Sequence, residues 1–174
     1  MSLIKCKAGL FEGLLQDSCY LFFGIPYAKY EQRWDDSTLI DKEINFKAIE
    51  IGNSAPQTRP ADQGQLGTSF FQDNSLSKQS EDCLTLNICS NDIKAKNPVL
   101  IWIHGGALRY GSGDVYLPDG IVPKGNVLVT INYRLGELGF FAHPSINDSD
   151  QNYKTNFGLL DQIILKSILI SFLI

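Results

Sequence analysis

Hydrophobic and polar positions alternate or cluster along the chain in a way that predicts a short meander, three later strands and a C-terminal helix. Near the N-terminus, residues 3–7 and 10–15 flank a turn at Ala8 and Gly9, and residues 19–23 follow as a third extended run, the pattern of a hairpin or short meander. Gly24, Ile25, Pro26, Tyr27 and Ala28 predict a compact turn. Residues 29–80 are polar and punctuated by Pro56, Pro60, Gly64 and Gly67, and they lack clean periodicity. They predict a long irregular segment wrapping the surface, unusual in a compact domain and often functional. Leu84, Leu86 and Ile88 then alternate with Thr85 and Asn87, predicting a half-buried strand before a polar turn over residues 90–97.

Two continuous apolar runs come next, VLIWI at residues 99–103 and VLVTI at 127–131. Unbroken β-branched and aromatic runs suit strands covered on both faces, as parallel strands in α/β proteins are. Between them, residues 111–125 are loop-like, with Gly111, Gly113, Pro118, Gly120, Pro123 and Gly125. A glycine-bearing turn is predicted over residues 135–141 and a polar loop over 147–152. From Phe157 the spacing of Leu159, Leu160, Ile163 and Ile164 predicts an amphipathic helix, with Asn156 placed to cap it. After Lys166 the sequence turns apolar on every side through Ile174, which predicts a buried helix or an abnormal end. Asp161, Gln162 and Lys166 interrupt this stretch, so it does not read as a membrane span. No internal repeat is present.

The chain of 174 residues, 44% hydrophobic and 20% charged, fits one globular domain, 1–174, with 163–174 as an atypical apolar tail. A net charge of -4 gives no electrostatic footprint for nucleic acid or an anionic membrane. The N-terminus lacks the apolar core and cleavage site of a secretory signal, and a cytoplasmic location is expected. Cys6, Cys19, Cys83 and Cys89 show no metal-type spacing and only two histidines are present, so free thiols and no metal site are expected.

The chemistry concentrates where the first apolar run ends, at His104, Gly105, Gly106 and Ala107. Two glycines and an alanine leave consecutive N–H groups uncovered, able to face a bound group or stabilise an oxyanion. A tight turn that needs glycine only for its backbone angles is the alternative. Gly106 to Ser112 also spells GxxxxGS after a strand, but Ser112 and Gly113 stand where a phosphate loop needs Lys and then Ser or Thr. The phosphate reading therefore loses its charge and its metal ligand.

Several motifs in order decide the context. FxGIPYA stands at residues 22–28, SEDCLTLNI at 80–88, IWIHGGA at 101–107 followed by GSG, a YDG-like segment at 116–120, INYRLGELGF at 131–140 and NFGLLDQ at 156–162. This series resembles the carboxylesterase type B family of α/β-hydrolases, which includes para-nitrobenzyl esterases and cholinesterases. The resemblance implies an α/β fold: the N-terminal part of an α/β-hydrolase with a mixed, mostly parallel central sheet. It implies oxyanion donors at Gly106 and Ala107, with Gly105 as neighbour. It also implies two partly buried ion pairs joining distant parts of the chain, Arg33 with Glu81 and Arg134 with Asp161. His104 is then a packed ring rather than the catalytic base, and His143 a loop residue. The implied substrate is a small-molecule carboxylic ester, with no cofactor.

The sequence departs from the family in one decisive respect. No serine stands in a Gly-x-Ser-x-Gly elbow; Ser69 and Ser112 both lack it. In the family the elbow follows the LLDQ helix and the triad acid and histidine come later, so no catalytic residue is assigned. A chain truncated before the nucleophile elbow, through a frameshift or premature stop, and inactive alone, is the expectation. A cysteine to pair with Cys83 is also absent, Ala55, Pro56 and Gln57 standing near its place. A non-catalytic carboxylesterase-like binding module is the alternative. An open edge at residues 99–103, without charge, proline or glycine, is expected to invite self-association or a chaperone.

Overall fold

The computed structural model describes residues 1–58, 78–116, 122, 125–146 and 155–172, with side chains described as far as Leu165 in the last helix. The polar loop over 147–152, Ser69 and much of the irregular 29–80 stretch lie outside the described residues, as do the side chains of the apolar tail.

The first three strands form the meander that the turn residues predict. β1 (Ser2–Cys6) and β2 (Gly9–Gln16) pair antiparallel across Lys7 and Ala8, and β2 pairs antiparallel with β3 (Cys19–Pro26). The polar stretch after it is not wholly irregular. It contributes a two-stranded pair, β4 (Ala28–Lys29) with β5 (Thr38–Leu39), and β6 (Ile44–Lys47), which runs parallel to the first half of β2. β7 (Thr85–Ser90), β8 (Val99–Ile103) and β9 (Val127–Ile131) complete a sheet ordered β1-β2-β3-β7-β9-β8, with β6 branching from β2.

Among these strands the sheet is mostly antiparallel, not mostly parallel: β1, β2, β3, β7 and β9 alternate in direction, and parallel pairing occurs at β8–β9 and β2–β6. The physical reason lies in connection length. Short turns can join only antiparallel neighbours, and β1, β2 and β3 are joined by short turns. Both parallel pairs, β2–β6 and β8–β9, are reached by longer connections.

Two apolar layers cover the sheet. Leu86, Val129, Ile131, Phe22 and Ile25 face one layer with Tyr27, Tyr133, Leu135 and Leu165, while Leu21, Cys89, Leu128 and Val122 form the second. Helix α1 (Gly136–Phe140) replaces the turn expected there, and α2 (Phe157–Phe172) follows. Asn156 begins α2, its carbonyl accepting from the Leu159 and Leu160 amides at 3.0 Å. The inward face of α2 carries Phe157, Gly158, Asp161 and Leu165, whereas Leu159 and Ile163 are exposed. Apolar spacing alone placed those two inward; the buried carboxylate of Asp161 rotates the helix away from that arrangement, as described below.

Two strand readings also change. β7 is buried on both faces, because the polar side chains that alternate along it meet partners instead of water. Asn87 accepts from the Gly24 amide at 2.9 Å and donates to Thr130 Oγ1 and Asp114 Oδ1, each at 3.1 Å. β8 is not covered on both faces: it ends the sheet order, and Leu100, Ile101, Trp102 and Ile103 are 37–47% exposed.

Candidate active-site turn

The turn after β8 is held from its ends and from beneath. His104 is buried, its carbonyl accepting from the Tyr133 hydroxyl at 3.0 Å and its ring stacked on the Tyr133 ring at 4.6 Å. Burial pushes the His104 imidazole below its ordinary pKa and so favours the neutral form, and its Nδ1 lies 2.9 Å from the Gly105 carbonyl. A buried ring stacked on a tyrosine and set against the turn packs the turn in place.

Gly106 has φ +124°, and a Cβ there would lie 1.8 Å from the Tyr110 carbonyl oxygen, so no other residue fits. The Gly106 carbonyl accepts from the Arg109 and Tyr110 amides at 3.0 and 3.2 Å. In a trans peptide the N–H points opposite to the C=O, so the Ala107 N–H is directed away from the turn's interior. Ala107 and Leu108 follow with φ of +53° and +61°, and the Leu108 carbonyl accepts from Gly136 at the start of α1 at 2.8 Å. A Cβ on Gly105 would meet nothing within 4 Å. Among the described residues none accepts a hydrogen bond from the Gly105, Gly106 or Ala107 amides. Backbone donors in such a turn, with no acceptor among the described residues, have the chemistry to stabilise an anion.

Below the turn, Ser112 is buried and not free to attack anything. Its Oγ lies 2.6 Å from Asp114 Oδ2 and 3.0 Å from Asn132 Oδ1, with no histidine among these partners. Asn132 also accepts from the Gly113 amide at 2.8 Å and donates to the Asn53 carbonyl at 3.1 Å. This buried network fastens the 112–114 turn to the end of β9. His143 sits apart, its Nδ1 accepting from the Ser145 amide at 3.2 Å and its ring stacked on Phe141.

The four charged residues implied by the motifs form two pairs of different character. Asp161 accepts from Arg134 Nε at 2.9 Å, Nη2 at 2.8 Å and the backbone amide at 3.1 Å, and the two side chains are 1% and 0% exposed. Arg134 Nη1 donates to the Asp35 carbonyl at 2.9 Å, and the guanidinium lies over the Tyr30 ring. With each side-chain nitrogen and oxygen hydrogen-bonded, this pair joins the segment after β9 to α2. Arg33 donates through Nε to both Glu81 oxygens at 2.9 Å, with Nη2 also on Oε1, but its side chain is 59% exposed and that of Glu81 37%. That pair is a surface contact, not a partly buried tie, since both side chains are exposed among the described residues. Arginine at this site holds the Glu81 carboxyl below its ordinary pKa, chiefly through the hydrogen bonds.

Motif reading did not identify Gln57, whose side chain bonds both backbone groups of Gly111, nor the Asn87–Asp114–Asn132 network. Among the described residues no three His, Cys, Asp or Glu side chains gather to hold a metal, and no helix is long and apolar enough to cross a membrane.

The pattern of the Carboxylesterase family matches residues 2–165. The para-nitrobenzyl esterase of Bacillus subtilis is 37% identical over 168 residues, which cover 92% of this chain and 32% of that protein. Bile salt-activated lipase of Homo sapiens is 37% identical over 171 residues, covering 86% of this chain and 20% of the lipase. Among solved structures, an esterase from anaerobic Clostridium hathewayi that can hydrolyse aliphatic aromatic polyesters superposes with a TM-score of 0.81 at 29% identity, covering 98% of this chain and 34% of that one. A thermophilic PNB esterase superposes with a TM-score of 0.78 at 30% identity, covering 98% and 35%. The chain thus spans about a third or less of the length of these relatives. It is a member of the carboxylesterase family, homologous to the N-terminal third of those enzymes.

Proposed function

We propose that this chain carries the oxyanion-stabilising part of a serine hydrolase of carboxylic esters and does not turn over esters by itself. The observation that carries the reading is the turn at Gly105, Gly106 and Ala107, whose amides are held in place without an acceptor among the described residues. In such a hydrolase a serine attacks the ester carbonyl, and the negative charge that develops on the carbonyl oxygen is met by the Gly106 and Ala107 N–H groups. Collapse of the resulting intermediate breaks the ester C–O bond and expels the alcohol, and water then releases the acyl group as the carboxylic acid and restores the serine. Donors fixed in advance cost no reorganisation when the charge forms, and one such donor is worth about a hundredfold to a thousandfold in rate. The nucleophile is what this chain does not supply. None of its serines stands in a Gly-x-Ser-x-Gly elbow, and Ser112 is buried in a network of its own.

Purified chain assayed with short-chain para-nitrophenyl esters is expected to hydrolyse no faster than its Gly106→Pro variant, and to resist labelling by a serine-directed fluorophosphonate. Stoichiometric labelling at one defined serine would overturn this reading.

A further inference from the structure

We propose that Gln57 is a positioning residue for the oxyanion turn: its side-chain amide pairs with the backbone of Gly111 and through Gly111 fixes the peptide planes that present the Gly106 and Ala107 donors. The proposal deepens the function proposed above and rests on it.

Gln57 treats Gly111 as a neighbouring strand would. Its Oε1 accepts from the Gly111 amide at 2.7 Å, and its Nε2 donates to the Gly111 carbonyl at 2.9 Å and to the Ala55 carbonyl at 3.0 Å. Both polar ends of the amide are thereby engaged. Gly111, with φ +116°, is packed directly on the start of the turn: a Cβ there would lie 2.5 Å from the Gly105 carbonyl oxygen and 2.5 Å from His104 Nδ1. The backbone of Gly111 therefore cannot shift without disturbing that oxygen and that ring.

The Gly105 carbonyl belongs to the same rigid peptide plane as the Gly106 N–H, and the Gly106 carbonyl to the same plane as the Ala107 N–H. Holding a carbonyl on one side aims the N–H on the other. The first plane is held by Gly111 and by His104 Nδ1, and the second by the amides of Arg109 and Tyr110, the residues that lead into Gly111. Gln57 is itself anchored. Its backbone N–H donates to Gln79 Oε1 at 3.0 Å, Ala55 beside it is buried, and Ser54 is bonded through its backbone to Lys78 and Ser80 on the neighbouring segment. A support of this kind decides whether donors are pre-aimed or must be reorganised during reaction.

Amide hydrogen exchange on the full chain tests the proposal at Arg109 and Tyr110, which bond to Gly106 and not to Gln57. Gln57→Ala is expected to speed exchange at these two amides about tenfold, the scale of losing one or two hydrogen bonds, while the amides of β7 and β9 stay unchanged. Gln57→Glu keeps the size and one acceptor but turns two donated bonds into repulsion with the Gly111 and Ala55 carbonyls. It is expected to match Gln57→Ala, and Gln79→Ala to give a smaller change in the same direction. Wild-type exchange in Gln57→Ala, wild-type exchange in Gln57→Glu, or equal acceleration across β7 and β9 would each overturn the proposal. No ester is turned over in this measurement, so a failure of the proposed function in the labelling assay and a failure of the Gln57 proposal are separately visible.

Discussion

β8 and β9 are five-residue strands of nearly the same composition, VLIWI and VLVTI, paired parallel and rung for rung from Val99↔Val127 to Ile103↔Ile131. One is buried from its second residue onward, and the other exposes those same positions. The difference is place, not sequence. β9 lies between β7 and β8, with Leu128 in one apolar layer and Val129 and Ile131 in the other, while β8 has a neighbour on one side among the described strands. An apolar run states that a strand can be covered; topology decides whether it is.

The largest effect is expected where the chain leaves β9. Removing the carboxylate in Asp161→Ala leaves the Arg134 guanidinium buried and uncompensated, and is expected to cost about 3–5 kcal/mol in denaturant unfolding. A cost near that of a surface contact would mean that water reaches the pair. Next come the two ends of one rung. Ile131→Ala removes a fully buried side chain and is expected to cost about 2–5 kcal/mol, against less than about 1 kcal/mol for Ile103→Ala, its half-exposed partner. Equal costs would break the comparison of the two strands. The smallest effect belongs to the exposed ion pair: Arg33→Ala is expected to leave the midpoint of thermal unfolding unmoved at neutral pH. Because Arg33 holds the Glu81 pKa down, any contribution of the pair is present above the ordinary glutamate range and is lost as the pH falls through the depressed value. A difference between wild type and Arg33→Ala that grew in acid would have the wrong sign.

Local pattern carried much of the fold. Turn residues and alternation placed the meander, β7, β8, β9 and the start of α2 close to where they lie. What periodicity could not show was long-range. The polarity of Thr85 and Asn87 reads as a solvent face, yet Asn87 is satisfied by Gly24, Asp114 and Thr130, three residues distant in sequence. Leu159 and Ile163 read as inward, yet Asp161 between them takes the core position because Arg134 waits there. At the turn, the two glycines and alanine pointed to the donors, but Gln57 stands 54 positions before Gly111 and carries no local signature at all.

The parallel pairing of β8 with β9 also sets an order of events during synthesis. The β1–β2–β3 meander needs only residues close in sequence and can close early, whereas every rung of β8–β9 joins positions on opposite sides of the whole turn. Tyr133, which holds His104, and Asn132, which holds Gly113, are made only after β9. Arg134 must wait longer still, for Asp161 in α2. A chain emerging from the ribosome therefore displays the glycines of the turn well before it can give them a shape, and the donors acquire their direction only once residues 132–134 have been made.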